Sequence, residues 1–531
     1  MRIRPFAVVL LAAMLALPGL VPADVKLPAV ISDHMVVQQG MPVPIWGWAD
    51  AGEKVTITAC GDKTEATAGA DGKFCAKIGP FKTGEPMEIT VAGKNTIVIK
   101  DVLVGEVWVA SGQSNMQWTV SNSANPTEEI AAAKFPKMRL FSVPRVTAAK
   151  PQDDVKASWC ECSPETVPGF SAVAYFFGRE LHQKLNVPVG MIHTSWGGTP
   201  AEAWTTQETM QAKFKPIADR WAKSQQDWES GAATKAYEAQ MAKWKDAAEK
   251  IKAANKADAD KAAKAGKPKP KARPLPRQPG KPGPATNSPH CPAVLYNAMI
   301  HPLVPYAIRG AIWYQGESNA GRAYQYRDLF PAMITDWRKV WGQGDFQFLF
   351  VQLANFMARK NEPADSAWAE LREAQTMTLA LPNTGMAVII DIGEAGNIHP
   401  KNKQDVGKRL AAWALGTTYG QKVCISGPLY DSMSVDGGKV RLKFKHVGGG
   451  LVAKGDKLTG FSIAGEDKKF VWADAVIDGE CVVVCSDKVA APKAVRYAWA
   501  DNPECNLYNK AGLPASPFRT DDWPGVTAGK E

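Results

Sequence analysis

Residues 105–118 read GEVWVASGQSNMQW, an apolar run that halts at Gly112-Gln113-Ser114-Asn115, and the way it halts decides the fold. Val104, Val107, Trp108 and Val109 carry the β-branched and aromatic bias of a buried strand. A glycine follows, then a serine flanked by two amides. A serine at such a strand end is lifted clear of the sheet, where its hydroxyl can reach a substrate carbonyl. The backbone N–H groups after it point the same way, toward any oxyanion that forms there. A plainer role, capping the next helix, fits Ser114 taken alone equally well.

Three more segments tip that balance. Residues 187–198 (VPVGMIHTSWGG) form a second apolar run, ending in Gly197 and Gly198. Residues 307–319 (AIRGAIWYQGESN) form a third, ending in Gln315, Gly316, Glu317 and Asn319. Residues 386–399 (MAVIIDIGEAGNIH) form a fourth, with Asp391 at the strand end and His399 beyond it. Helix-like stretches at 170–186, 364–380 and 402–418 separate several of these runs. Alternation of this kind predicts an α/β core, a mostly parallel sheet with helices on both faces. Ligands in such sheets bind beyond the carboxyl ends of the strands. Four polar clusters at four such ends are therefore expected to share one crevice.

The same residues resemble a family. GQSN at 112–115, the Gly197-Gly198 turn, WYQGESN at 313–319 and NIHP at 397–400 are similar to the blocks of the sialate O-acetylesterase group, which belongs to the SGNH-type hydrolases and carbohydrate esterases. The connecting text YRDLFPAMITDWRKVWGQGDFQFLFVQLANF at 326–356 and LREAQ at 371–375 matches as well. The resemblance implies a three-layer α/β/α serine esterase that removes O-acetyl groups from sugars. Ser114 would attack the acetyl carbonyl, and His399 would take its proton and pass it to the departing sugar hydroxyl. The Ser114 N–H, one of Gly197 or Gly198, and an amide side chain would hold the oxyanion. Gln315 stands first for that amide, with Asn319 four residues later. Asp391 is the carboxylate expected to orient His399, with Glu394 and Glu317 as alternatives. Asn115, Glu317 and Asn319 are expected at the substrate.

Other residues read more plainly. His34, His182, His193, His290, His301 and His446 are expected to be structural. Most of the 18 tryptophans are core residues, while Trp118, Trp196 and Trp204 could stack on a sugar ring. A sugar carboxylate would need a basic partner, for which Arg322, Arg327, Arg179 and Arg359 qualify by type. Serine acyl transfer requires no metal, nucleotide or flavin, so no cofactor is expected. An acetylated sialic acid, xylan or xyloglucan would suit this chemistry as substrate. A glycan-binding protein and an acyltransferase are the rival readings.

At 531 residues the chain should hold two or three domains. Residues 1–23 read as a secretion signal: Arg2 and Arg4, an apolar run, then small residues before Asp24. A soluble, exported protein of the periplasm or exterior is therefore expected. Residues 24–100 alternate short β-like runs with turns, which predicts an antiparallel sandwich. Residues 101–427 make the esterase core, and 428–531 return to β-rich text. Residues 206–290 interrupt the core. Their first part has the composition of a helical hairpin, and KPKPKARPLPRQPGKPGP at 267–284 is expected to be extended and solvated. Residues 243–281 hold 13 Lys/Arg against 4 Asp/Glu, which accounts for nearly all of the net charge of +10. The basicity is thus local, and no nucleic-acid partner is expected. Nine cysteines follow the signal, in numbers that leave at least one unpaired.

Overall fold

The computed structural model describes residues 24–530; the secretion-signal reading of residues 1–23 falls outside them. At its centre lies one long strand, Thr96–Gly112. Its first residues alternate exposed and buried side chains, and from Val102 onward every residue is buried. That switch records two environments. The amino-terminal part pairs antiparallel with Met87–Ala92 in the leading β region. The rest is flanked on both sides by parallel neighbours, where helices cover both faces and leave no polar side. One strand therefore runs through both the leading β region and the α/β core.

The core sheet has the order Thr384–Ala387, Gln347–Val351, Gly310–Tyr314, Thr96–Gly112, Val189–Ser195, Phe135–Ser142, Trp159–Cys162. Each neighbouring pair is parallel except the last. Helices Ala172–Leu185 and Lys403–Trp413 pack together, as do Ala323–Trp341 and Ala367–Met377. The expected α/β core with a mostly parallel sheet is what the chain forms.

Register fixes the site. Gly112 stands opposite Ser195 on one side and Tyr314 on the other. Gln113, Trp196 and Gln315 therefore leave the sheet at one level. Gly112 holds φ +139, and a Cβ there would lie 2.2 Å from the carbonyl oxygen of Tyr314. Only glycine lets the central strand turn this close to its neighbour.

Two further parts frame the core. After residue 428, two four-stranded antiparallel sheets enclose a second apolar core around Val440, Leu442, Phe461, Ile463 and Val495. This region clasps the helix Ala367–Met377: Arg372 donates to the carbonyls of Ala500 and Asp501, and Arg519 to the Glu373 carboxylate. The interruption forms helices Gln207–Lys213, Lys215–Glu229 and a 33-residue helix Ala232–Lys264. The proline-rich stretch is extended, as expected, but it runs back along the long helix. Trp244 Nε1 donates to the Pro276 carbonyl, and Asn255 exchanges two hydrogen bonds with the backbone of Arg273. All nine cysteines are free thiols. No helix among the described residues is long and apolar enough to cross a membrane.

Candidate active site

Ser114 opens the short helix Ser114–Gln117 directly after the central strand. First-turn N–H groups have no intrahelical acceptor, so the Ser114 amide is available beside the Ser114 hydroxyl. The side chain is half-buried. A second Ser–His contact exists, His193 Nε2 to Ser195 Oγ at 2.6 Å. Both residues lie inside a core strand with Ser195 buried, and burial lowers the His193 pKa to about 4. That pair is structural, as expected for His193.

His399 is held against the Ser114 helix by two ties. Its ring stacks on Trp118, which follows the helix, with centroids 4.8 Å apart and planes 14° from parallel. The adjacent Ile398 carbonyl accepts a hydrogen bond from Asn115 Nδ2 at 3.0 Å. The loop closes on itself as well. Glu394 accepts from the Lys401 N–H and from Asn397 Nδ2, while Asn397 Oδ1 accepts from the His399 N–H. Burial, and then the charge of Lys403, lower the His399 pKa below its usual 6.5. The imidazole thus favours the neutral form that a general base needs.

The expected acid does not reach this ring. Asp391 accepts both guanidinium bonds of Arg409, at 2.6 and 2.9 Å, and one from the Tyr508 hydroxyl at 3.2 Å. Its carboxylate fastens the helix Lys403–Trp413 and the carboxyl-terminal β region to the strand end. Among the described residues no carboxylate is hydrogen-bonded to the His399 imidazole.

The expected oxyanion amide is engaged too. Gln315 is fully buried; its Nε2 donates to Asn319 Oδ1 at 2.7 Å and to the Thr199 carbonyl at 3.3 Å. Its Oε1 accepts from the Tyr326 hydroxyl at 2.9 Å. Asn319 is equally occupied, accepting from the Ala201 N–H and donating to Glu202. Together these amides hold the turn 197–201. That turn lies against Ser114, since a Cβ on Gly197 would come within 3.1 Å of Ser114 Cβ. Gly197 donates its N–H to Gln117 Oε1 at 2.7 Å. Gly198, at φ +77, is exposed, and no hydrogen bond engages its N–H among the described residues.

Asn115, expected at the substrate, is instead buried. Its Nδ2 donates to Glu317 Oε1 at 2.6 Å, and its Oδ1 accepts from Lys403 Nζ at 2.6 Å. Asn115, Glu317 and Lys403 form an inner network that joins two strand ends to the helix Lys403–Trp413. Burial lowers the Lys403 pKa to about 7 and raises that of Glu317. The sequence gives no sign of Lys403 in this role, because a lysine opening a helix reads as surface charge. Trp204 is fully buried, with Nε1 donating to Thr199 Oγ1, so it cannot stack on a sugar. Trp118 and Trp196 remain partly exposed.

Comparison with known proteins places these features in context. A family model described as carbohydrate esterase, sialic acid-specific acetylesterase, matches residues 290–415. Sialate O-acetylesterase of Rattus norvegicus is 31% identical, with 92% of this chain and 93% of that protein covered. The human enzyme of the same name is 29% identical, with 93% of each covered. A crystal structure of a carbohydrate acetylesterase from Xanthomonas citri superposes with a TM-score of 0.77 at 36% identity, covering 94% of this chain and 100% of that one. The chain belongs to the sialate O-acetylesterase family.

Proposed function

We propose that this protein is a carboxylic ester hydrolase that removes O-acetyl groups from sugars through an acetyl-enzyme on Ser114, with His399 as general base and acid. The observation that supports it most is the joint placement of the Ser114 helix and the His399 loop, tied by the Trp118 stack and by Asn115. In the first half-reaction Ser114 Oγ attacks the acetyl carbonyl as its proton passes to His399. The tetrahedral oxyanion takes the N–H groups of Ser114 and Gly198. Collapse releases the sugar hydroxyl, which receives the proton from His399. Water then repeats the sequence on the acetyl-enzyme and frees acetate.

Gln315 acts one step back in this scheme. It holds the Thr199 carbonyl and Asn319, and so the turn that presents Gly198. The imidazole is oriented by its stack on Trp118 and by the loop that Glu394 and Asn397 close. Sialic acids are the acetylated sugars we favour, since relatives aligning over nearly the whole chain carry that name. Secretion through residues 1–23 completes the proposal. The test is acetate release from p-nitrophenyl acetate and from O-acetylated sialic acid by wild type and by Ser114→Ala. Activity in wild type and its loss in the variant are expected; equal rates in both would remove Ser114 from the mechanism.

A further inference from the structure

Beside the nucleophile lies a cleft of about 500 Å³, within the range of about 300–1,000 Å³ typical of small-ligand sites. One wall belongs to the active site: Gly198, and Ser318, whose N–H donates to Gln113 Oε1 at 3.3 Å. The opposite wall belongs to the interruption. Arg220, Trp221 and Ser224 come from the helix Lys215–Glu229, and His290 from the end of the interrupting segment. The interruption therefore faces the Gly198 turn across this cleft.

The charges in this cleft are unequal. Glu202 lines it, but its carboxylate is buried and fully engaged, accepting from Arg322 at 2.5 Å and from Asn319 Nδ2 at 2.9 Å. Arg322, also in the cleft, is the other half of that pair. Arg220 has no carboxylate partner among the described residues; Asp219, its neighbour, pairs with Lys215. The cleft thus keeps one uncompensated positive charge, beside the half-buried ring of Trp221. Of the other arginines that could meet an acidic sugar, Arg179 and Arg327 are held in part-buried pairs with Glu129 and Glu373, while Arg359 faces Glu504 on the surface and does not line this cleft.

We propose that the interrupting segment builds a sugar subsite in which Arg220 binds an anionic group, a carboxylate on the acetylated sugar, while Trp221 packs against the ring. Trp221 supplies an apolar face for the C–H side of a pyranose, and Arg220 a planar donor that matches a carboxylate. This assignment rests on the esterase reading above and adds to it the residues, Arg220 and Trp221 of the interruption, that would recognise the sugar. An uncharged xylan or xyloglucan ester would leave Arg220 without a partner.

The test compares kcat/KM for an O-acetylated sialic acid with that for an O-acetylated neutral xylo-oligosaccharide, using p-nitrophenyl acetate as the internal reference for each protein. Wild type should favour the acidic ester. In Arg220→Gln the acidic-to-neutral ratio should fall about tenfold, chiefly through KM, and in Arg220→Glu it should fall further, the size expected for one charge-assisted contact. Added salt should lower the wild-type ratio and leave that of Arg220→Gln nearly flat. A ratio unchanged by either substitution, or a wild type that favours the neutral ester, would overturn the subsite. Failure of wild type on all three esters would instead overturn the esterase reading on which it rests.

Discussion

Replacing Gln315 by methionine separates two roles that an amide beside an oxyanion can play. The side chain makes three hydrogen bonds in a fully buried position: to Asn319, to the Thr199 carbonyl and from the Tyr326 hydroxyl. Methionine keeps the volume and removes all three. The Tyr326 hydroxyl and the Thr199 carbonyl lose their Gln315 partner, whereas Asn319 Oδ1 keeps its bond from the Ala201 N–H. At about 1–3 kcal/mol for each buried group stranded, the expected loss of stability is about 2–5 kcal/mol. The 197–201 turn then loosens, and Gly198 N–H drifts from the oxyanion position. Because a whole oxyanion donor is worth about 10²–10³ in rate, partial misplacement should slow turnover by about 10- to 100-fold. Thermal unfolding and steady-state kinetics on p-nitrophenyl acetate measure the two together. Turnover slowed about a thousandfold, the full worth of a direct donor, with an unchanged Tm would refute the positioning role of Gln315.

Other perturbations probe the rest of the site. The acid limb of the kcat/KM profile should have its midpoint below pH 6.5, since burial and Lys403 lower the His399 pKa; a limb above 6.5 would contradict His399 as the base. Lys403→Met removes one of those two causes, so the limb should move to higher pH, and a shift to lower pH would refute the coupling. Asp391→Asn weakens the grip on Arg409 and Tyr508; Tm should fall, with turnover reduced far less than the roughly 10⁴-fold that loss of a triad aspartate can cost. Gly112→Ala places a Cβ against the Tyr314 carbonyl and should destabilise by about 2–5 kcal/mol, seen as a lower midpoint in urea unfolding.

The elements most legible in the sequence are those written twice, once as an apolar run and once as the polar residues ending it. Gly112, Gly198, Gln315 and the approach to His399 all sit where alternating strands and helices would put them, because parallel register carries neighbouring strands to one level. The switch within Thr96–Gly112 is not written there: TIVIKD places three apolar residues in a row, and its alternating exposure appears only once the strand is paired. Pairing across the fold is what the sequence hides. Asp391 and Arg409 look independent along the chain, yet the fold joins them bidentately, so the carboxylate nearest a strand end is already engaged. Arg220 lies ahead of the basic stretch 243–281, amid evenly mixed acids and bases, so nothing along the chain sets it apart from other surface charges.

The buried network explains how the site holds its shape although, among the described residues, no carboxylate is bonded to the imidazole. Lys403 and Glu317 would each be costly to bury alone as ions. Their pKa values are displaced toward one another, down for the lysine and up for the glutamate, and Asn115 stands between them, donating to one and accepting from the other. Asn115 can do both only because its amide has one donor group and one acceptor, and its spare proton goes to the Ile398 carbonyl. A single side chain next to Ser114 thereby ties together the strand end bearing Glu317, the helix bearing Lys403 and the loop bearing His399. Aspartate at 115 would break this arrangement, since it offers no N–H to Glu317 or Ile398 and adds a negative charge beside a buried carboxylate. The alternation of donor and acceptor, rather than charge alone, is what joins the Ser114 helix to the His399 loop.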